Sequence, residues 1–343
     1  MKRILYILMV LSLFASCNHK DKIDPIPTPE PQPESLRPIE MSAATEWYGF
    51  SKGLVDSVDD LYSDGFVVWG VCIDPDDETS DIFGDNGTEV TRGVNSWEYS
   101  PTKYWHEGLS KFAAIRPSLS YTMSAVPYES TDAGLKLTVT FPDGGFDLKP
   151  DNEGDQADLM VAYAEEVYDG ESRPSAVTMD FEHQLALVNI QIKGDGTADF
   201  TINDLSIFGN SSKAESAEFS SSISESGVLT IVPTWDFVGV STQSEPFYSS
   251  SEDLGLKTSA VTYVSDLLVF PEQTTITVAG SYTEIKGGYY TRTEQFAKNV
   301  SVNWQPNMRY TYVLTLTSYG IVFSEPKVEA WQNGGAADGS IEM

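Results

Sequence analysis

The stretch RYTYVLTLT, residues 309–317, places Tyr310, Tyr312, Leu314 and Leu316 at alternate positions, with Thr311, Val313, Thr315 and Thr317 between them. Side chains of a strand point to opposite faces with a period of two, whereas a helix repeats every 3.6 residues. This run therefore predicts a strand with one apolar, aromatic face and one largely hydroxylated face. The same reading extends outward. LKLTVTF (135–141) alternates at Leu135, Leu137, Val139 and Phe141, then meets the turn signal Pro142-Asp143-Gly144-Gly145. LALVNIQI (185–192) keeps Ala186, Val188, Ile190 and Ile192 on one apolar face. TITVAGSYTEI and YYTRTEQFAKNVSVNW read as a hairpin joined at Lys286-Gly287-Gly288, and GFVVWGVCID (65–74) as a strand buried on both faces. No amphipathic helix of more than two turns is predicted. Many short strands between turn signals define an all-β fold of β-sandwich type.

Apolar residues make up 41% of the 343 residues and aromatics 12%, enough to build a core and to exclude disorder over most of the chain. The 51 Asp and Glu outnumber 21 Lys and Arg, for a net charge of −30. Such a surface excludes nucleic acid and anionic membranes as electrostatic partners. The length fits two domains of ordinary size. The acidic, glycine-rich DGGFDLKPDNEGDQAD (143–158) and GESRPS (170–175) read as connections. They predict an N-terminal β-sandwich over 40–174, a C-terminal β-sandwich over 175–335 and a tail over 336–343.

At the N-terminus Lys2 and Arg3 precede the apolar run from Ile4 to Phe14. That run is too short for a hydrocarbon core of about 30 Å, which a helix of roughly 20 apolar residues spans. It fits a signal peptide over 1–16. Leu13-Phe14-Ala15-Ser16-Cys17 resembles a bacterial lipobox, in which the cysteine thiol accepts a diacylglyceryl group and becomes the first mature residue. Loss of Lys2 and Arg3 with the signal takes the net charge to −32. Residues 17–39 form a proline-rich linker, an extended semi-rigid spacer. Cys72 then has no cysteine partner, and within its apolar strand it is expected as a buried small hydrophobe.

Chemistry-bearing motifs are scarce. The three histidines are His19 in the linker, His106, and His183 inside MDFEHQLALVNI. There is no GxSxG, HExxH, CxxC or phosphate-loop spacing, so no catalytic residue and no cofactor are expected. His183 reads as a histidine fixed by hydrogen bonds at a strand start. Two acidic clusters offer calcium-type oxygens: Asp74, Asp76 and Glu78 in one, Asp151, Glu153 and Asp155 in the other. Neither carries the glycine of the EF-hand loop, and solvated acidic loops are the simpler expectation.

The strand residues, taken in order, carry a resemblance. WEYSPTKYWHEG (97–108), LSKFAAIRP (109–117), DLMVAYAEEV (158–167), FEHQLALVNIQI (181–192), LTIVPTWDF (229–237), LLVFPEQTTITV (267–278) and VNWQPNMRYTYVLTL (302–316) follow one another behind the lipobox. The series resembles fimbrillin-like proteins of the Bacteroidetes, subunits and accessory proteins of type V pili. The resemblance implies two tandem transthyretin-like β-sandwich domains, joined to other fimbrial subunits by donor-strand exchange, a form of strand addition. It also implies a non-enzymatic role in adhesion to a host or bacterial surface ligand. Shaft subunits of the family are cut after an arginine by a trypsin-like protease; here the basic candidates are Arg37 and Lys52. Pro38 follows Arg37 and disfavours that cut, which points to an anchor or accessory subunit held to the outer membrane through lipidated Cys17. His19-Lys20-Asp21-Lys22 resembles the export signal of surface lipoproteins in the same phylum. Residues 318–331 are expected either to complete the second domain or to serve as donor strand. The alternative reading is a glycan-binding surface lipoprotein of a polysaccharide-uptake system, with Trp47-Tyr48 or Trp105 as an exposed aromatic platform.

Overall fold

The computed structural model describes residues 37–44, 65–93, 96–116, 136–141, 145–149, 156–172, 174–223 and 229–331. Among the described residues every regular element is a strand. In chain order these are β1 (Met41–Ala44), β2 (Phe66–Ile73), β3 (Thr79–Asp81), β4 (Thr88–Arg92), β5 (Trp97–Glu98), β6 (Gly108–Arg116), β7 (Lys136–Thr140) and β8 (Phe146–Asp147). Next come β9 (Met160–Tyr168), β10 (Val177–His183), β11 (Ala186–Gly194), β12 (Asp199–Phe208), β13 (Ser211–Ile223), β14 (Leu229–Val240) and β15 (Tyr248–Ser250). The last are β16 (Leu254–Leu256), β17 (Val261–Val269), β18 (Gln273–Lys286), β19 (Tyr290–Asn303), β20 (Met308–Thr317), β21 (Gly320–Phe323) and β22 (Lys327–Ala330).

They form four sheets. An eight-stranded sheet runs β1-β10-β9-β6-β2-β4-β5, with β3 beside β2. A five-stranded sheet runs β17-β11-β20-β21 with β22 on β20, and a second runs β15-β12-β18-β19 with β16 on β12. The fourth runs β14-β13-β7 with β8 on β13. The alternation of 309–317 is realised in β20, where Tyr310, Tyr312, Leu314 and Leu316 are buried and their neighbours partly exposed. β20 lies parallel to β11, Leu187 opposite Arg309 through Gly194 opposite Leu316. The expected hairpin forms as β18 and β19, in register from Gln273 opposite Asn303 to Lys286 opposite Tyr290. Beside it β12 slips register between Ile202 and Asp204. Gly280 is needed opposite that bulge, because a Cβ there would lie 2.1 Å from the Asp204 carbonyl oxygen.

β2 and β6 have both faces covered, which is why GFVVWGVCID reads as one continuous apolar run. On one face Phe66, Val68, Phe112, Ala114, Met160 and Met179 pack with Trp97, Trp105, Ile39 and Met41. Cys72 lies in this layer as a free, buried thiol whose pKa burial pushes up. On the other face Trp69, Val71, Ala113, Ile115, Val161 and Tyr163 join the large core lined by β11, β12, β17, β18 and β20. Pairing also crosses position 174/175, because β7 and β8 are bonded to β13. The buried Gln156 ties the same region to β17: its Nε2 donates to the Leu148 and Leu268 carbonyls, and its Oε1 accepts from the Leu268 N–H. One side chain thus imitates a strand partner for Leu268.

Candidate assembly edges

The first described segment starts at Arg37, in the last residues of the proline-rich linker. Proline fixes φ and disfavours a helical residue before it. The chain therefore enters extended and bonds to the 103–105 segment: Trp105 N–H donates to the Arg37 carbonyl, and Ile39 N–H to the Lys103 carbonyl, each at 2.9 Å. The Tyr99 hydroxyl donates to the Ile39 carbonyl at 2.6 Å. β1 then runs parallel to β10, Met41 opposite Val177 through Ala44 opposite Asp180. It is the edge of the eight-stranded sheet and the only parallel member of it among the described residues. Ile39 and Met41 are its buried anchors. The Arg37 guanidinium sits 5.9 Å from the centre of the Tyr168 ring, and its carbonyl is held by Trp105.

The second edge is C-terminal. β21 pairs with the second half of β20, Leu314 opposite Phe323 to Thr317 opposite Gly320. Ser324 N–H and hydroxyl both donate to the Val313 carbonyl, Pro326 interrupts the pattern, and β22 resumes on the first half, Met308 opposite Ala330 to Thr311 opposite Lys327. Residues 320–330 therefore complete the sheet of their own chain. All four residues of β22 are exposed. Only the next residue, Trp331, turns inward. Its indole lies on the His183 imidazole, centroids 3.7 Å apart and planes within 7°. His183 Nδ1 is 2.8 Å from Asp158 Oδ2, both side chains being shut off from solvent. His183 stands at the end of β10 rather than at a strand start, and it is fixed by a carboxylate beside its Nδ1 and by an aromatic ring.

The remaining site candidates separate. Asp74 Oδ1 accepts from the Asp76 and Glu78 N–H groups at 2.9 and 2.8 Å, so this carboxylate caps the β2–β3 turn. Asp76 and Glu78 point to solvent. Among the described residues no group of three or more His, Cys, Asp or Glu is arranged to hold a metal ion. Cys17, Lys52, Asp151, Glu153 and Asp155, and the Trp47-Tyr48 pair, lie outside the described residues. Trp105 is a correction: it is only 4% exposed, packed edge-on against Phe112 at 5.9 Å, and presents no ring to a glycan. Among the described residues the fully exposed aromatics are instead Tyr289 and Tyr319. They stand on two turns tied together by buried Glu284, to which Arg292 Nε and the Ser318 hydroxyl donate. These donors hold the Glu284 carboxyl below its ordinary range, the Ser318 bond contributing most. Sequence reasoning missed the roles of Ile39, Met41 and Trp331. The only signal available was the i, i+2 spacing of Ile39 and Met41 at the linker's end and the tryptophan closing the last strand.

Among the described residues the body is all-β, with a short edge strand near each end of the described chain. The chain belongs to the fimbrillin-like family, whose pattern matches residues 62–331. No curated protein matches it. It is similar to the crystal structure of a fimbrial protein from Bacteroides vulgatus ATCC 8482, with TM-score 0.58, 18% identity, 86% of this chain and 99% of that one covered. It is also similar to a candidate cell adhesion protein from Bacteroides ovatus ATCC 8483, with TM-score 0.47, 14% identity, covering 87% and 98%. A fimbrial assembly protein from Parabacteroides distasonis ATCC 8503 aligns with TM-score 0.38 and 11% identity over 85% and 98%. The first of these shares the fold. The family is one of fimbrial and cell-surface adhesion proteins, non-enzymatic by kind.

Proposed function

We propose that this chain is a fimbrial subunit or anchor protein, held to the outer membrane by lipid on Cys17 and spaced from it by the proline-rich linker. Its body would be two tandem transthyretin-like sandwiches, about 40–174 and 175–335, joined where β7 and β8 pair with β13. Other fimbrial subunits add to it through strand exchange. The observation that carries this reading is the docking of β1, a short strand held parallel at a sheet edge.

The energetics support detachability. Burying Ile39 and Met41 contributes about 3–6 kcal/mol at the usual 1.5–3 per side chain. Fixing about eight residues costs roughly 8–16 kcal/mol. Hydrogen bonds at about 1 kcal/mol each bring the segment near balance. Removal of β1 uncovers the β10 backbone and the Ile39 and Met41 pockets, which is the geometry strand addition needs. A cut after Arg37 would leave β1 in place; a cut after Lys52 would release it. The Arg37 carbonyl is engaged and Pro38 follows, so retention of the lipidated N-terminus, and with it an anchoring role, is favoured.

Mass spectrometry of the N-terminus from cells, with pull-down of co-purifying proteins, tests this. An acylated Cys17 together with fimbrial subunits supports the anchor; a terminus after Lys52 makes it a shaft subunit. A chain recovered without lipid and without other subunits would sink the proposal.

A further inference from the structure

Among the described residues the longest sheet edge is β19, 14 residues that close their sheet beyond β18. An edge strand leaves a row of backbone N–H and C=O groups unpaired, and charged side chains along it, lysine above all, keep other strands away. β14, the next longest edge, carries one charge, Asp236, and Pro233, which has no N–H to offer. β19 carries Arg292, Glu294 and Lys298. These share a face with Phe296, because all four stand at alternate positions of one strand. Arg292 is committed within the chain: its guanidinium reaches Glu284 Oε2 at 2.6 Å, the Ser318 carbonyl at 2.8 Å and Glu294 Oε1 at 3.3 Å. Lys298 is exposed, and among the described residues no carboxylate lies within ion-pair distance of it. Phe296 is half-buried beside Gly280, the residue opposite it in β18, so its ring is held near the middle of the edge.

We propose that β19 pairs antiparallel with β19 of a second copy of this chain, about a two-fold axis at Phe296. With Phe296 opposite Phe296, Glu294 of each copy meets Lys298 of the other, Thr293 meets Asn299 and Thr291 meets Ser301. Residues directly opposite in an antiparallel pair have Cβ atoms about 4.5–5.5 Å apart, close enough for two ion pairs and one aromatic contact. A single self-complementary surface thus serves both copies. The register is unique among its neighbours. Moving the axis by one residue, to Gln295 or to Ala297, sets Lys298 opposite Arg292 or opposite Phe296 and breaks both ion pairs. The charges that repel foreign strands therefore admit this chain's own copy. β19 also holds one more cation than carboxylates, in a chain where 51 Asp and Glu face 21 Lys and Arg. It is a line along which two acidic bodies can meet without local repulsion between like charges. The contact goes beyond the fimbrial reading and does not rest on it: no strand leaves its own chain, and the sheet is simply continued across the axis.

Sedimentation equilibrium tests the pairing on the mature chain carrying Cys17→Ser, which keeps lipid-driven association out, with melting curves to check each fold. The parent should show a monomer–dimer equilibrium. Glu294→Lys and Lys298→Glu each turn two attractions into two repulsions, and each should weaken the dimer by about tenfold or more. The chain carrying both exchanges regains both pairs and should dimerise as the parent does. Mixing the two single variants should give a heterodimer of near-parental affinity, since one copy then supplies two cations and the other two carboxylates. If Glu294→Lys does not fold, Lys298→Glu alone decides, because Lys298 has no ion pair within the chain to lose. A parent that stays monomeric up to about 1 mM, where even a weak transient contact is populated, overturns the proposal. So does a dimer that Lys298→Glu leaves unchanged, which places the contact on another surface, or one that the mixture of two folded variants fails to restore.

Discussion

Replacing Gln156 is the sharpest test of how the chain's two halves are joined. Its amide makes three buried hydrogen bonds, to the Leu148 carbonyl and to both the carbonyl and N–H of Leu268. Leu148 and Leu268 are essentially inaccessible to water, so nothing replaces the lost partner. An unsatisfied buried polar group costs about 1–3 kcal/mol. Gln156→Ala strands one donor, the Leu268 N–H, and two acceptors, the Leu148 and Leu268 carbonyls. The expected loss is about 3–6 kcal/mol, a large share of a typical 5–15 kcal/mol stability. Gln156→Glu separates the hydrogen-bond account from one based on volume. The substitute fills the same space, but an ionised carboxylate cannot donate to the two carbonyls, and its protonated form can donate only once. Gln156→Glu should therefore be destabilised at neutral pH and recover partly in acid, relative to the parent under the same conditions. Urea unfolding at pH 5 and pH 7.5 reads both effects from the midpoint, with the slope unchanged. A loss below about 1 kcal/mol in Gln156→Ala, or no pH dependence in Gln156→Glu, would refute the reasoning.

Three further outcomes are expected. Leu314→Ala, at a fully buried position of β20, should lower stability by about 2–5 kcal/mol in urea unfolding. Tyr312→Phe removes the oxygen that accepts from Trp304 Nε1 at 3.1 Å, at a cost of about 1–3 kcal/mol. Burial pushes the Tyr312 phenol up to about 12, so the parent should show a late-ionising tyrosine in ultraviolet titration that the variant lacks. Burial raises the Glu272 carboxyl although the Ser211 N–H and hydroxyl donate to it. The folded state then holds this proton to higher pH than the unfolded state, so stability falls as pH rises from the ordinary glutamate value through the raised one. Glu272→Gln should remove that contribution to the slope; melting curves of the two proteins that stay parallel across the window would contradict it.

Much of the body is legible in the sequence because one-sided burial leaves a period of two. β20, the β18–β19 hairpin and β7 announce themselves this way, and β2 does so by the opposite sign, an apolar run covered on both faces. β13 is not legible. Over 211–221 its SSKAESAEFSS buries only Ala214, Ala217 and Phe219 besides Ser211, and its place is fixed by long pairings to β14 and β7 that no local pattern encodes. β1 escapes for the same reason: MSAA has little strand character and is a strand because β10 offers it an edge. Trp105 misleads because polar residues flank it in TKYWHEG and no period marks which way it faces, while the fold lays its indole against Phe112 and Tyr168. The stack of Trp331 on His183 joins residues far apart in the chain, and only tertiary structure brings them together.

The placement of Trp331 also decides how the protein meets mechanical load. β22 runs antiparallel to β20 and ends with Ala330 opposite Met308, one residue before Trp331, whose indole is seated on His183. A pull applied to the chain beyond this residue reaches the plug before it reaches the ladder. While the plug holds, it takes the load and the β22 hydrogen bonds are spared; once it fails, they can break in succession from Ala330. Rupture under force is governed by the barrier to unfolding rather than by equilibrium stability. A single ring buried at the end of an otherwise exposed strand thus sets a threshold, below which the surface body resists shear as one piece.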